Sequence, residues 1–198
     1  MSRDNYDWSS KSQSKGGVVE EITFPCIEDR LSFDESVYIA PQTYVHGAVV
    51  IGPGSSVWPM SVIRGDKGLI RIGARVNIQD GSILHADPDA WLTIGNDVSI
   101  GHGALVHGCT IEDEVLVGMG ATILNHAWIG RGSLIAARAL VTEGMEVPPG
   151  SLVVGIPGKI KPLGEDHRER IVRTAQNYVA LQQRYREWNT KQAANDKR

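Results

Sequence analysis

The feature that most constrains this chain is a six-residue period. From Ile39 to Val153 an aliphatic residue returns at every sixth position, in four blocks. The period is neither the 3.6 of an amphipathic helix nor the 2.0 of a hairpin sheet, and self-similarity at a fixed period indicates a solenoid. The aliphatic positions are Ile39, Val45, Ile51, Val57, Ile63, Ile72, Ile78, Leu84, Ile94, Ile100, Val106, Ile111, Val117, Ile123, Ile129, Ile135, Val141, Val147 and Val153.

Each hexad can supply one short strand and one corner, so three hexads predict one triangular coil. The coils would stack about 4.8 Å apart, with each strand paired to its equivalents above and below. The count is interrupted at 63–72, 84–94 and 106–111. We expect the first two interruptions to be small loops at a corner and the third to be a one-residue deletion.

A different period follows Pro157. Apolar residues there return at three- and four-residue spacing in a segment without Gly or Pro, which predicts an amphipathic helix. We therefore expect an all-β solenoid with a C-terminal α-helix, divided into an N-terminal arm and lead-in (1–36), a β-helix domain (37–158) and a C-terminal helix and tail (159–198). The helical positions are Ile171, Ala175, Tyr178, Leu181, Tyr185 and Trp188.

Composition limits the partners and the compartment. The 198 residues are 41% apolar and 22% charged with a net charge of -3, so a globular domain is expected, with no overall basic field for nucleic acid or anionic membrane. The apolar runs are too short to span a membrane, and residues 1–17 have no signal-peptide core, which predicts a cytoplasmic protein. Cys26 and Cys109 have no metal-type spacing, and we expect reduced thiols.

Counting hexads places three polar residues in one column. Arg64, His85 and His107 each follow an inward aliphatic residue on the same face of the triangle, and they point outward. His85 and His107 lie one coil apart, about 5 Å, so both imidazoles can reach one metal ion.

A second column lies on another face and contains Asp80, His102 and Met119. Outward directions from two faces of a triangular coil diverge by roughly 120°, so His102 should not converge with the other two rings within one chain. A homotrimer in which one face meets a different face of the next subunit would resolve this geometry. Three neutral imidazoles with an open fourth position form the ligand set of catalytic zinc, whereas histidines on an outer face are more often solvated. His46, His126 and His167 lack this registration and are expected to be surface residues.

Four short segments of this sequence resemble those of the γ-class carbonic anhydrases. The resemblance rests on IRGD at 63–66, VNIQDG at 76–81 followed by His85, IGHG at 100–103 and VHG at 106–108. It implies a left-handed β-helix, a homotrimer with metal between subunits, and reversible hydration of CO₂ to bicarbonate by a metal-bound hydroxide.

The resemblance also implies roles for individual residues. His85, His102 and His107 match the metal ligands, with Zn²⁺ expected and Fe²⁺ or Co²⁺ also compatible with three imidazoles. The remaining site residues implied are Gln79 beside the bound hydroxide, Asp80 as its neighbour, Arg64 and Asp66 as a pair linking subunits, Tyr178 as a substrate contact and Met119 as an apolar wall of the CO₂ pocket.

The sequence departs from the family pattern in two ways, and two alternative functions stay open. Lys67 follows Asp66 where the best-known member has a glutamate, and only sixteen residues separate His85 from His102, so the long acidic loop of a proton shuttle is missing. The same solenoid hosts acyltransferases that use a single histidine base and an acyl-CoA. A non-catalytic trimeric scaffold stapled by metal is the third possibility.

Overall fold

A computed structural model describes residues 30–195 of the chain. The predicted N-terminal arm, as far as residue 29, and the last three residues lie outside the described residues. The described elements are nineteen strands and one helix: β1 Ser32–Phe33, β2 Tyr38–Ile39, β3 Tyr44–Ile51, β4 Ser56–Val57, β5 Val62–Ile72, β6 Asn77–Ile78, β7 Ile83–His85, β8 Leu92–Ile94, β9 Ser99–Ile100, β10 Leu105–His107, β11 Thr110–Ile111, β12 Leu116–Val117, β13 Thr122–Ile123, β14 Trp128–Ile129, β15 Leu134–Ile135, β16 Leu140–Val141, β17 Glu146–Val147, β18 Ser151–Val154, β19 Lys159–Pro162 and α1 Glu165–Asn195.

The strands form three faces of a triangular solenoid. Face A contains the first halves of β3 and β5 with β7, β10, β13 and β16, and face B contains β1, the second halves of β3 and β5, and β8, β11, β14 and β17. Face C contains β2, β4, β6, β9, β12, β15 and β18, with β19 added antiparallel at its end. All other pairings between these strands are parallel, and the expected left-handed β-helix with a C-terminal helix is confirmed.

The core is the stack of aliphatic residues that the six-residue period predicts. Ile78, Ile100 and Val117, for example, lie in register on face C and are fully buried. Each coil covers the apolar side chains of the coils above and below, so burial stabilises the stack as a whole rather than any single coil. The core therefore supplies a rigid support on which outward side chains keep a fixed spacing.

One expectation about the interruptions was wrong. The segment 63–72 is not a loop, because β5 continues through it and pairs with β3 below and with β7 and β8 above. Strands β3 and β5 approach closely here: a Cβ atom on Gly47 would lie 2.4 Å from the carbonyl carbon of Gly65. Pairing with β3 is in register on either side of the inserted residues, at 62–65 and 70–72, and the register shifts between these two stretches.

Helix α1 packs along face C and runs back toward the first coil. Near its start Ile171 packs with Leu116 and Leu134, and farther along Tyr178 and Leu181 pack against the buried cluster that contains Trp58. Toward its end the Arg186 guanidinium donates hydrogen bonds to the backbone carbonyls of residues 35 and 36, at 3.0 and 2.9 Å. Within residues 30–195, no helix has the length and apolar character that crossing a membrane requires.

Candidate metal centre

The column expected on face A is present in the strand register. Arg64 of β5 pairs with His85 of β7, which pairs with His107 of β10. The two imidazole rings lie 4.8 Å apart between centroids, and His85 is buried while His107 is half-buried. Stacked parallel strands thus hold both rings side by side.

Asp66 fixes the outer side of the His85 ring. Its Oδ1 atom lies 3.0 Å from His85 Nε2, and its Oδ2 atom lies 2.5 Å from a guanidinium nitrogen of Arg64. Burial acts to raise the pKa of Asp66, but the hydrogen bonds from His85 and Arg64 outweigh it and lower the pKa. Because an ionised carboxylate only accepts hydrogen bonds, the ring proton of His85 belongs on Nε2 and its Nδ1 atom carries a lone pair.

Asn125 fixes the outer side of the His107 ring. Its amide nitrogen donates to Oδ2 of Asp87 at 3.1 Å, which turns its amide oxygen toward Nδ1 of His107, and these two atoms are hydrogen-bonded. The ring therefore donates from Nδ1, and its Nε2 atom carries a lone pair.

These two lone pairs face one another. His85 Nδ1 and His107 Nε2 lie 2.8 Å apart, a distance at which two acceptors repel unless they share a proton or a metal ion. Burial lowers the pKa of His85, and the positive charge of Arg64 acts in the same direction, which favours the neutral ring. The residues present fit a divalent metal ion, and one potential ligand atom from each of His85, Asp87 and His107 lies within 4.8 Å of the others.

The other predicted site residues lie together at the edge of face C. His102 Nδ1 lies 2.9 Å from Oδ2 of Asp80, and the His102 side chain is 47% exposed. Gln79 is buried, its amide nitrogen donates to Asn77 Oδ1 at 2.9 Å, and its amide oxygen accepts from the backbone N–H of His102 at 3.2 Å. Within the described chain His102 is not part of the group formed by His85, Asp87 and His107.

A cavity of about 430 Å³ extends from this edge beneath α1. Gln79, His102, Met119 and Tyr178 line one end of it, and its floor is aliphatic. Tyr178 also packs edge-on against Trp58 at 5.5 Å between ring centroids. Burial raises the pKa of Tyr178, and the negative charge of Asp80 raises it further, so the phenol remains protonated throughout the neutral range.

Comparison with known proteins identifies the family. The chain matches no family model. It is 49% identical over 148 residues to a protein named "Probable carbonic anhydrase" from Methanocaldococcus jannaschii, a match that covers 74% of this chain and 93% of that protein. This chain belongs to the γ carbonic anhydrase family. It is also 37% identical to "Gamma carbonic anhydrase 2, mitochondrial" from Arabidopsis thaliana over 80% of its own length, and the match spans 59% of that longer protein.

The chain also shares its solenoid with a protein that carries a different name. A crystal structure titled as a putative acetyltransferase from Bacillus cereus superposes with a TM-score of 0.80 at 38% identity, and the match covers 81% of this chain and 94% of that one. Fold similarity alone does not distinguish the two activities.

Three polar residues beside these groups were missed by the sequence reasoning. Asp87 follows His85 by two positions, a spacing that could have drawn attention to it. Asn77 precedes Gln79 by two positions on the same face and donates to Ser99 at 2.8 Å. Asn125 gives no such signal, because it lies just beyond the strand register that defines the histidine column.

Proposed function

We propose that the chain catalyses the reversible hydration of CO₂ to bicarbonate in a homotrimer. Each site would hold one metal ion between His85 and His107 of one subunit and His102 of the next. The observation that carries the proposal is the approach of two imidazole nitrogens, His85 Nδ1 and His107 Nε2, to 2.8 Å, close to the spacing at which one cation binds both rings. The names of the carbonic anhydrase relatives support the reaction.

The chemistry of the three faces supports the proposed assembly. Face C is covered by α1, and the outward side chains of face B are mostly polar and exposed. Face A, in contrast, presents an outward column that is mainly apolar and only partly buried, and uncovered apolar surface of this kind is typical of protein interfaces. The column contains Tyr44, Val62, Ile83, Leu105, Thr122 and Leu140.

His102 has the properties expected of a ligand offered to a neighbour. It is exposed at the edge of face C, and Asp80 holds its Nδ1 atom, so its Nε2 atom is left to bind a cation. Packing of face A from one chain against this edge in the next would bring the three imidazoles together. A cyclic trimer would contain three equivalent sites.

The ligand set suits catalytic zinc, although Fe²⁺ or Co²⁺ also bind three imidazoles. Such an ion, when bound, acidifies water so that a hydroxide nucleophile is available near neutral pH. The chain's own residues would supply orientation. Asp66 and Asp80 hold the rings of His85 and His102, each through one hydrogen bond.

The remaining residues shape the space in which CO₂ would react. Gln79 has one amide N–H left after its bond to Asn77, and we assign it to hydrogen-bond the reacting water or the bicarbonate oxygen. Met119 would form an apolar wall, and Tyr178 would close the inner end of the cavity. Arg64, held by Asp66, would lie at the subunit interface.

A complementation experiment tests the shared site. His102→Ala and His107→Ala chains, each inactive alone, are co-expressed and the mixed trimers are isolated by two affinity tags. Every mixed trimer contains one complete site, so we expect one metal ion per trimer and about a third of the wild-type hydration rate by stopped flow. Mixed trimers that bind no metal would contradict a site shared between subunits.

Acetyl transfer is the second candidate, because the Bacillus cereus structure carries that name. The same preparations are tested with acetyl-CoA and a panel of amine and hydroxyl acceptors. Acetyl transfer without CO₂ hydration would favour this alternative. A fully metal-loaded trimer that shows neither reaction would instead favour a scaffold held together by metal.

A further inference from the structure

The His107 ring is held differently from the other two predicted ligands. His85 and His102 each bond directly to an aspartate, at 3.0 and 2.9 Å. His107 instead bonds to the neutral amide of Asn125, and the carboxylate behind that amide is one hydrogen bond farther away.

We propose that Asn125 and Asp87 are paired positioning residues that set the tautomer and orientation of His107. The inference rests on the proposed function in one respect, that the ring they position binds a metal ion. The pair keeps the ring proton on Nδ1 and leaves the Nε2 lone pair facing His85.

The direction of control follows from hydrogen-bond chemistry. The Asp87 carboxylate accepts but does not donate, so it selects the NH₂ end of the Asn125 amide, 3.1 Å away. The oxygen end must then face His107, and an oxygen acceptor selects the ring tautomer with hydrogen on Nδ1. Without Asp87 the amide could rotate by half a turn and offer its NH₂ group to the ring, which would select the opposite tautomer.

The backbone holds Asn125 in place for this role. Its carbonyl accepts from Gly144 N–H at 2.9 Å, and the next residue, His126, donates from its backbone N–H to the Gly108 carbonyl at 2.8 Å. A Cβ atom at position 108 would lie 2.5 Å from the Asn125 amide oxygen, so glycine there leaves room for the amide. The hydrogen-bond relay from Asp87 through Asn125 to His107 thus joins residues of three successive coils.

The amide differs from a carboxylate in the charge that it brings to the metal centre. An aspartate at 125 would place a second negative charge beside Asp87, whereas an amide orients the ring without adding charge. Outer partners of metal-bound histidines typically change metal affinity by 10- to 100-fold when they are removed. We expect a loss of metal affinity of similar size when the Asn125 amide is removed.

The test uses the full-length protein stripped of metal and the variants Asn125→Leu and Asp87→Asn. Nitrogen-15 NMR at pH 8 reports the His107 tautomer, and competition with a chromophoric chelator gives the Zn²⁺ affinity. We expect the Nδ1–H tautomer in the wild type, a mixture in both variants, and Zn²⁺ affinity about 10- to 100-fold weaker for Asn125→Leu. Asp87→Asn preserves the side-chain shape and carries the test if Asn125→Leu does not fold.

Asn96→Leu is the matched control. Asn96 also bridges coils, since its amide oxygen accepts from Ala74 N–H at 2.8 Å and its amide nitrogen donates to Asp113 at 3.3 Å, but it lies on another corner. We expect it to lower stability without changing the His107 tautomer or the Zn²⁺ affinity. Weaker Zn²⁺ binding by this control, equal to that of Asn125→Leu, would show a general loss of structure and overturn the proposal.

A double variant separates paired from independent action. Adding Asp87→Asn to Asn125→Leu should cause no further loss of Zn²⁺ affinity, because the relay is already broken. Additive losses, or an unchanged tautomer in both single variants, would overturn the proposal. Loss of CO₂ hydration is not used as a readout, so a protein that binds Zn²⁺ through this relay but hydrates no CO₂ would refute the proposed function alone.

Discussion

Ile83 and Leu105 lie side by side in register on face A, and both point away from the core. Ile83 is 45% exposed, and no element among residues 30–195 covers this column. In the proposed trimer the column would be buried against the next subunit.

The interface is tested first by Ile83→Asp. A carboxylate at this position would be buried without a partner in a packed interface, so we expect dissociation to monomers and loss of bound metal. Thr93→Asp is the control, because Thr93 is an exposed outward residue on face B. Sedimentation velocity measures the mass of both variants, and a trimeric Ile83→Asp protein would argue against face A as the interface.

Tyr178 should make stability depend on alkaline pH. Its pKa in the folded chain is raised, mainly by burial and then by the charge of Asp80. The contribution of the neutral Tyr178 phenol to the free energy of unfolding is complete below the ordinary tyrosine pKa of about 10. It is lost as pH rises through the higher pKa of the folded chain.

Urea unfolding between pH 8 and 11 measures this effect in wild type and Tyr178→Phe. For Tyr178→Phe the free energy of unfolding should fall less steeply above about pH 10 than it does for wild type. The ring at this position should keep its packing against Trp58. Tyr185→Phe, which removes an exposed tyrosine of α1 that packs on the same Trp58, should behave as wild type does. Identical curves for wild type and Tyr178→Phe would contradict the prediction.

The Cys109 thiol should be unreactive in the folded protein. It is buried in the core, and burial raises its pKa far above the ordinary value. In a Cys26→Ser background, labelling by a thiol-specific disulfide reagent should therefore follow global unfolding and accelerate in urea. Fast labelling in native buffer would indicate that the core opens locally around residue 109.

Proton removal should limit the rate of CO₂ hydration in weak buffer. Lys67 stands where the best-known family member has a glutamate, and sixteen residues separate His85 from His102. We expect kcat to rise several-fold with imidazole concentration while kcat/KM stays nearly constant, since proton transfer follows the chemical step. A kcat independent of buffer would point to a proton path within the protein.

The positions along the solenoid follow from the sequence because one period governs all of them. Counting hexads places Arg64, His85 and His107 in a single column, and the strand register pairs the same residues. The count works because each inward aliphatic side chain fixes the direction of its outward neighbours.

The finer contacts do not follow from the period. The strand through 63–72 pairs with the coil below at 62–65 and 70–72, with a register shift between them, which a count of spacings does not reveal. Asn125 reaches His107 through side-chain rotamers and a corner geometry, and both are set by neighbouring coils. Long-range hydrogen bonds of this kind depend on the assembled fold rather than on local pattern.

The contact of Arg186 with the backbone at residues 35 and 36 joins helix α1 to the first described coil of the solenoid. A solenoid is in principle an open stack that can unravel from either end. Here the hydrogen bonds from α1 oppose separation of the first described coil, because that coil must break its contact with the helix before it can detach. Loss of the Arg186 side chain would therefore loosen the coil that lies farthest from the start of the helix.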